Sequence, residues 1–446
     1  MRISIKHPQL FSTLFKEVTN YDLNYPITGV STDSREINEN DLFISIKGNN
    51  YDGNTFLNAA KKCKASAALV SKVDRKVNLQ QVPVKDPLKT ISEIAKLWRN
   101  QYSIPVIAIT GSNGKTSTKE LLIHAFSDTF HVHATRANHN TLLGLSLTLL
   151  ELDKSHEISI LELGASKVGE IKNLCEISTP THGLITNIAP AHLIGFGSIK
   201  KISIEKGHLF NSLKNGLAFV NLDDKRIANI KILGKSISFG SSPNSDFSAI
   251  INVEIDGKLT LAVNSIVIPT KSHNLSFLKN CIAVTAIGMT IGLSESELKS
   301  KIQSFKTPKG RCSIKRVNRV TVIDDSYNAN LSSSLAALEY LNAFIGKGKK
   351  VFVFGDMFEL GDKSTEQHRL IGQKCIDLKI DLVLTIGNHS KHTNLALNGS
   401  IKSKHYHSPD KLINYLKKSI KQDDILLFKG SRGMKMENII NKIFNF

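Results

Sequence analysis

The chain is poor in the residues that staple small or secreted folds. Only five of its 446 residues are cysteine, Cys63, Cys175, Cys281, Cys312 and Cys375. They are odd in number, widely spaced and form no C-x-x-C pair, which argues against a zinc site or a disulfide framework. Aromatic residues make up 7% of the chain and there is one tryptophan. No basic stretch is interleaved with aromatics and no compact Lys/Arg block appears, so nucleic acid is not an expected partner. No apolar run approaches the roughly 18 residues of a membrane helix. The first residues, MRISIKHPQLFSTLFKEV, carry early positive charge, but polar residues interrupt them and no small-residue cleavage site follows. A cytoplasmic location is expected.

Acidic residues are also scarce beside basic ones, 39 Asp+Glu against 58 Lys+Arg, for a net charge of +19. Two explanations stand side by side at this point. The excess can serve anionic partners, or it can reflect a Lys-, Ile- and Asn-rich composition spread over solvated faces.

What the chain does have is length and alternation. At about 150 residues per domain it has room for about three domains, and 41% hydrophobic with 22% charged residues is a globular composition. Residues 1–90 mix short strands and helices: GVSTDSREINENDLFISIKG has strand-like runs around a turn, and NTFLNAAKKCKASAALV reads as a helix and then a strand. From about 100, IPVIAIT, HVHAT, ISILELGA and HGLITNI alternate with helical stretches, the mark of βαβ units and a parallel sheet. DFSAIINVEIDGKLTLAVNSIVI alternates around Asp256-Gly257 and predicts an antiparallel hairpin insert. After PKGR, the runs RVTVIDD, KVFVFGD, DLVLTIG and DDILLFKG predict a further doubly wound α/β domain.

The strongest chemical signal is IPVIAITGSNGKTSTKELL, a buried strand, a Gly-containing turn and a helix starting near Lys115. Backbone N–H groups of such a turn (Gly111, Ser112, Asn113, Gly114, with Ser117 following) and the helix N-terminus favour phosphate oxygens. Lys115 is placed to neutralise β- and γ-phosphates, and the Thr116 hydroxyl to bind Mg²⁺. The general spacing would need glycine at 109, which is Ile109, so this is a shorter variant, T-G-S-N-G-K-T.

That short variant resembles the phosphate turn of the Mur ligase family, ATP-dependent amide-forming enzymes of peptidoglycan precursor synthesis. ATRANHNTLLGLSLTLLEL, ILELGASKVGEIKNL, TNIAPAHLIGFGSIKKISIEKG, VIDDSYNANLSSSLAAL, VFGDMFELGDKSTEQH and FKGSRGMKME are similar, in order, to signature segments of its branch that joins D-alanyl-D-alanine to UDP-N-acetylmuramoyl-tripeptide. TDSR-x7-F extends the likeness to the first domain. The resemblance implies three α/β domains: 1–90 binding the UDP-substrate, a central P-loop, mostly parallel-sheet domain over 91–309 binding ATP, and a Rossmann-like domain over 310–446 taking the dipeptide. It also implies ATP and Mg²⁺ as cofactors, closure of the third domain over the site, and a monomer.

Residue by residue, the resemblance makes Glu162 and His192 metal ligands beside Thr116. Lys206 becomes a lysine carbamylated by CO₂ that reaches a second Mg²⁺. The family context A-K-G-E reads Glu205-Lys206-Gly207-His208 here, and a solvated helix-face lysine is the other reading. Asn138 and Asn140 fall where the family contacts the muramoyl peptide and phosphates, with Thr141 in place of a further Asn. Asn280 resembles the Asn that meets adenine. Arg311 is a bidentate donor for the γ-phosphate at a domain junction, and Asp325, Tyr327 and Asn328 approach ribose and base. Ser34, Arg35 and Lys47 resemble uridine-diphosphate contacts, a surface Ser-Arg pair being the plain alternative. Asp356, Met357, Glu359, His368, Lys429, Ser431 and Arg432 fall at successive strand ends of the third domain, where the dipeptide is expected.

Overall fold

The computed structural model describes residues 1–48, 51–255 and 257–445. Asp256, half of the turn expected at Asp256-Gly257, lies outside the described residues.

The N-terminal sheet has five strands in chain order, Arg2–Ser4, Gly29–Ser31, Asp41–Ile44, Ala67–Val70 and Gln80–Pro83. The first pair is antiparallel and the rest parallel. Every residue of Ala67–Val70 is buried, as a parallel strand covered on both faces requires. The helix Pro87–Arg99 begins at Asp86, whose side chain accepts from the Leu88 and Lys89 N–H groups. Its buried Ile91, Ile94, Ala95 and Trp98 recur at i, i+3, i+4 and i+7. Trp98 Nε1 donates to the Leu152 carbonyl at 3.0 Å, and Arg99 donates to the carbonyls of Tyr102 at 2.7 Å and Ser178 at 3.1 Å. The boundary expected at residue 90 therefore runs inside a helix whose apolar face joins the first unit to the second in one continuous core.

The central sheet has nine strands in the order Ile266–Pro269, Leu259–Val263, Phe247–Val253, Lys235–Gly240, Leu217–Asn221, His182–Ile185, Val106–Thr110, Ile158–Glu162, Val132–Ala134. The expected hairpin is present, and it extends this sheet: Phe247–Val253 pairs parallel to Lys235–Gly240 and antiparallel to Leu259–Val263. Strand residues alternate between two cores, Val106, Ala108 and Leu161 entering one, Ile107, Ile109 and Ile160 the other. The ends Thr110, Glu162 and Ile185 consequently open on one edge, where open α/β sheets bind ligands.

The C-terminal sheet runs Ser313–Val317, Val320–Asp325, Ile425–Lys429, Lys350–Gly355, Leu382–Ile386, Ser403–Tyr406. Its first strand is antiparallel and the others parallel. Leu338, Leu341 and Ile371 cover one face and Leu412, Leu416 and Ile439 the other, so the sheet is doubly wound as expected. The last strand inserts between the second and third of this unit. That brings Lys429 alongside Asp325, which lies 104 residues earlier. Among the described residues no helix is long and apolar enough to cross a membrane.

Candidate active site

The phosphate turn leaves the strand at Thr110 and enters the helix Lys115–Phe126. Gly111 and Gly114 have φ of +150° and +81°. A Cβ at Gly111 would sit 1.9 Å from Thr186 Oγ1, so glycine is required there by close approach as well as conformation. Gly114 caps the helix with no side-chain bond, which leaves first-turn N–H groups available to an anion. The peptide of Asn113 is pinned from the neighbouring strand end. Its N–H donates to Asn187 Oδ1 at 3.0 Å, and its carbonyl accepts from Thr186 Oγ1 at 2.6 Å and Asn187 Nδ2 at 2.9 Å. Thr186 and Asn187 open the segment TNIAPAHLIGFGS that carries His192, but the sequence assigns them no role of their own. The available signal was their position directly after a strand, opposite the phosphate turn.

Lys115 donates to the Gly111 carbonyl at 2.7 Å. Its withdrawal from bulk water pushes its pKa down; nearby Glu162 opposes that, and nearby Arg311 adds to it. Glu162 is 2% exposed. One of its carboxylate oxygens accepts from Asn140 Nδ2 at 2.8 Å, whereas Oε2 is buried with no partner. A buried, unpaired carboxylate oxygen is costly unless a cation meets it. Among the described residues no three His, Cys, Asp or Glu side chains are grouped to hold a metal. The unpaired Glu162 oxygen and the Thr116 hydroxyl on one cavity fit Mg²⁺, which one carboxylate, a hydroxyl and nucleotide phosphates together can hold.

Lys206 is 3% exposed on the helix Ile199–Ser212, so the solvated-lysine reading does not hold. Burial, and then Lys115, depress its pKa well below the ordinary lysine value, against the pull of Glu205. A neutral amine is the form that reacts with CO₂. Glu205 is itself fully buried and accepts from the N–H groups of Gly169 and Ile171, both at 2.7 Å, at the start of the helix Glu170–Ser178. His192 has φ +51°, and its Nδ1 is bonded to Glu359 across the junction with the third unit. The expected ligand is turned, in this conformation, to an acidic partner.

The third unit supplies the opposite wall. Arg311 Nη2 donates to Thr116 Oγ1 at 3.1 Å, and its guanidinium lies 3.8 Å from the centre of the Tyr327 ring, with Arg432 at 5.6 Å from the same ring. Asn330 Nδ2 donates to Asn113 Oδ1 at 2.8 Å, a second bond from the third unit to the phosphate turn. Asp325 pairs with Lys429, and Lys429 also donates to the Asn328 carbonyl at 3.1 Å. Asn280 lies against Gly114, its Oδ1 2.9 Å from where a Cβ would be.

Other expected contacts sit back from this wall. Asp356 spends its carboxylate on the N–H groups of Asn388, His389 and Ser390. His368 accepts from the Met357 N–H at 3.1 Å and donates to the Ser364 carbonyl at 2.7 Å, and burial lowers its pKa. Met357 is in the apolar core. Ser431 accepts from the Phe358 N–H at 2.8 Å. These side chains shape the strand-end loops from behind. In the first unit Arg35 is exposed and bidentate to Asp33, at 2.8 and 2.6 Å, and Lys47 bridges to Asp52 through the backbone. Neither these two nor Ser34 reaches the cavity, to which the first unit contributes Leu88.

The cavity holds about 1230 Å³, and Lys115, Thr116, Asn138, Asn140, Glu162, His192, Asn280, Arg311, Asp325, Tyr327, Asn328, Lys429 and Arg432 line it with the turn from Ser112 to Ser117. An open helix N-terminus with a lysine, an unpaired carboxylate and an arginine from a facing unit defines a phosphate-loop, ATP-using enzyme. Residues 109–287 match the Mur ligase middle domain, 310–432 the Mur ligase glutamate ligase domain and 26–99 the Mur ligase family catalytic domain. The chain belongs to the Mur ligase family. It is 33% identical to UDP-N-acetylmuramoyl-tripeptide--D-alanyl-D-alanine ligase of Haemophilus influenzae over 94% of each chain. It is also 33% identical to the Escherichia coli K12 protein of that name over 99% of this chain and 98% of that one. Among solved structures, a MurF from Acinetobacter baumannii superposes with a TM-score of 0.88 at 28% identity over 98% of both chains. A MurF ligase from Thermotoga maritima in complex with ADP gives 0.82 at 27% identity, over 93% of this chain and 97% of that one.

Proposed function

We propose that this chain is the ATP-dependent ligase that joins D-alanyl-D-alanine to UDP-N-acetylmuramoyl-tripeptide, giving the pentapeptide, ADP and phosphate. The observation that carries it is the convergence of Lys115, Thr116, the unpaired oxygen of Glu162 and Arg311 on one cavity between the second and third units. The likeness to proteins of that name over nearly the whole chain supports the choice of substrates.

The chemistry follows from what the residues can do. The tripeptide's terminal carboxylate attacks the γ-phosphorus of ATP, releasing ADP and leaving an acyl phosphate. The dipeptide amine then attacks the acyl carbon, loses its proton, and expels phosphate. Both reacting partners of the first step are anionic, so fixed cations supply most of the stabilisation. Lys115 neutralises the β- and γ-phosphates and Arg311 the transferring group. Thr116 and Glu162 would hold Mg²⁺, with His192 and a carbamylated Lys206 as further ligands, and the ion would supply charge neutralisation at the phosphate oxygens. Asn138 and Asn140 present the tripeptide end. Asp325, Tyr327, Asn328 and Asn280 take the nucleoside.

In this reading residues 1–90, with Ser34, Arg35 and Lys47, hold the UDP end, 91–309 hold ATP and 310–446 hold the dipeptide. Lys429 is buried against Asp325, whereas Arg432, exposed and paired to Glu437 through one nitrogen, keeps a free edge and is the cation for the dipeptide carboxylate, while Asp356, Met357, Glu359, His368 and Ser431 set the loop shape. The third unit closes on the second to shelter the acyl phosphate from water. The enzyme works as a monomer in the cytoplasm, where ATP and UDP-substrate are supplied.

The test is direct. The purified chain is incubated with ATP, Mg²⁺, the UDP-muramoyl tripeptide and candidate amines, while phosphate release and product mass are followed. Product that depends on D-alanyl-D-alanine is expected, and Lys115→Ala should abolish it without unfolding the protein. Absence of that product sinks the reading.

A further inference from the structure

We propose that Lys119 is a positioning residue: from the helix after the phosphate turn it fixes the segment Asn138–Asn140 and, through Asn140, the Glu162 carboxylate. The proposal rests on the ligase reading and adds to it a side chain that neither touches the cavity nor belongs to the T-G-S-N-G-K-T turn.

Lys119 stands one helical turn beyond Lys115 and is 0% exposed. A lysine so placed is rare unless paired, and an apolar side chain of similar length would fill the space without desolvating a charge. What the ammonium does there is visible in its acceptors. It donates to the Thr135 carbonyl at 2.6 Å, makes a longer 3.5 Å contact to the Ala137 carbonyl, and pairs with Glu120 at 2.8 Å. Ala137 has φ +46°, a conformation that a residue with a Cβ rarely takes. Two carbonyls of this strained bend face the same point, and the cation there relieves their repulsion.

The bend decides where the next residues go. Thr135 Oγ1 accepts from the Glu162 N–H at 3.0 Å. Three residues past Ala137, Asn140 donates to Glu162 at 2.8 Å and accepts through its carbonyl from the Gly164 N–H at 2.9 Å. Gly164 leaves no slack, since a Cβ there would lie 2.6 Å from Asn140 Cγ. Lys119, the bend, Asn140 and Glu162 form one connected support. Lys115 is held separately, by the Gly111 carbonyl, so loss of Lys119 should spare the phosphate contact.

The test compares Lys119→Met and Lys119→Gln with the parent enzyme by calorimetric titration of ADP and, separately, of UDP-muramoyl tripeptide, alongside steady-state kinetics. Lys119→Met should weaken UDP-substrate binding and raise its KM about tenfold, with kcat about tenfold lower, the size usual for losing a support behind a ligating group. Its ADP affinity should stay within about twofold. Lys119→Gln, whose amide still donates to the Thr135 carbonyl, should fall between. Added to Asn140→Ala, Lys119→Met should cost no more than about twofold further, because both act through one support. Equal losses of ADP and UDP-substrate affinity, or fully multiplicative losses in the double variant, overturn the proposal. If Lys119→Met does not fold, Lys119→Gln is judged by the same criteria. If the parent enzyme makes no product, the ligase reading falls while the two titrations still decide Lys119.

Discussion

The Arg311 guanidinium bonds the Thr116 hydroxyl at 3.1 Å while stacking 3.8 Å from the centre of the Tyr327 ring. A cation of the third unit thus rests, oriented by an aromatic face, on the hydroxyl proposed to meet Mg²⁺. A planar fork is needed to do both at once.

Arg311→Ala is therefore expected to lower kcat/KM by about 10²–10³-fold, the usual size for removing one preorganised donor at a charge-developing centre. Arg311→Lys should recover only part of it, since an ammonium cannot stack and bond together. Steady-state kinetics at saturating Mg²⁺ decide this, and near-normal turnover of the Lys variant would discard the stacking argument.

Lys206 is buried beside Lys115 and its pKa is held well below that of an ordinary lysine. It should take up CO₂ at neutral pH, the amine nitrogen forming a bond to carbon and releasing one proton. With ¹³C-labelled bicarbonate, a carbamate resonance is expected in the parent protein and not in Lys206→Ala. Activity of the parent should fall in CO₂-free buffer and return with bicarbonate. A spectrum without that resonance removes Lys206 from the metal site.

Lys429 and Asp325 are an ion pair buried at adjacent strand ends. Lys429→Met strands the carboxylate, at an expected cost of about 3–5 kcal/mol in a urea titration. The ATP KM should rise as well, because the same Asp325 lines the cavity and is proposed to meet the nucleoside. Replacing both partners with apolar residues should restore most of the stability and none of the ATP affinity.

His133 makes a prediction about acid. Its ring nitrogens bond Ser159 Oγ and the Thr148 carbonyl, each at 2.8 Å, and burial lowers its pKa to about 4. The unfolded chain, near 6.5, binds the proton first. The contribution of His133 is thus complete above about pH 6.5 and is lost as pH falls toward 4, by up to about 3 kcal/mol. His156, whose ring centre is 5.2 Å away, opposes a second positive charge there. His133→Gln should flatten the drop in unfolding free energy between pH 6.5 and 4, and an unchanged slope would count against this origin.

The sequence by itself determined the elements and the phosphate turn. Strand, turn, Lys-Thr and helix are local, and alternation along Val106–Thr110 or Val320–Asp325 follows from burial on two faces. Glu162 and Arg311 sit in short segments that resemble the family's, and both line the cavity; Lys206 sits in the altered context Glu205-Lys206-Gly207-His208, and only the structure shows that it is buried. What only the tertiary structure decided is which side chains face the cavity and which stand behind it. Asp356 and His368 read as pocket residues at expected strand ends, yet His368 lies inside the helix Ser364–Asp377 and the polar atoms of both are consumed by backbone groups. Thr186, Asn187, Asn330 and Lys119 lie inside segments read for other residues, and each acquires its role through a bond to a distant segment. Hydrogen-bond satisfaction between distant segments has no sequence period. It is set when the strands take their order in the sheet.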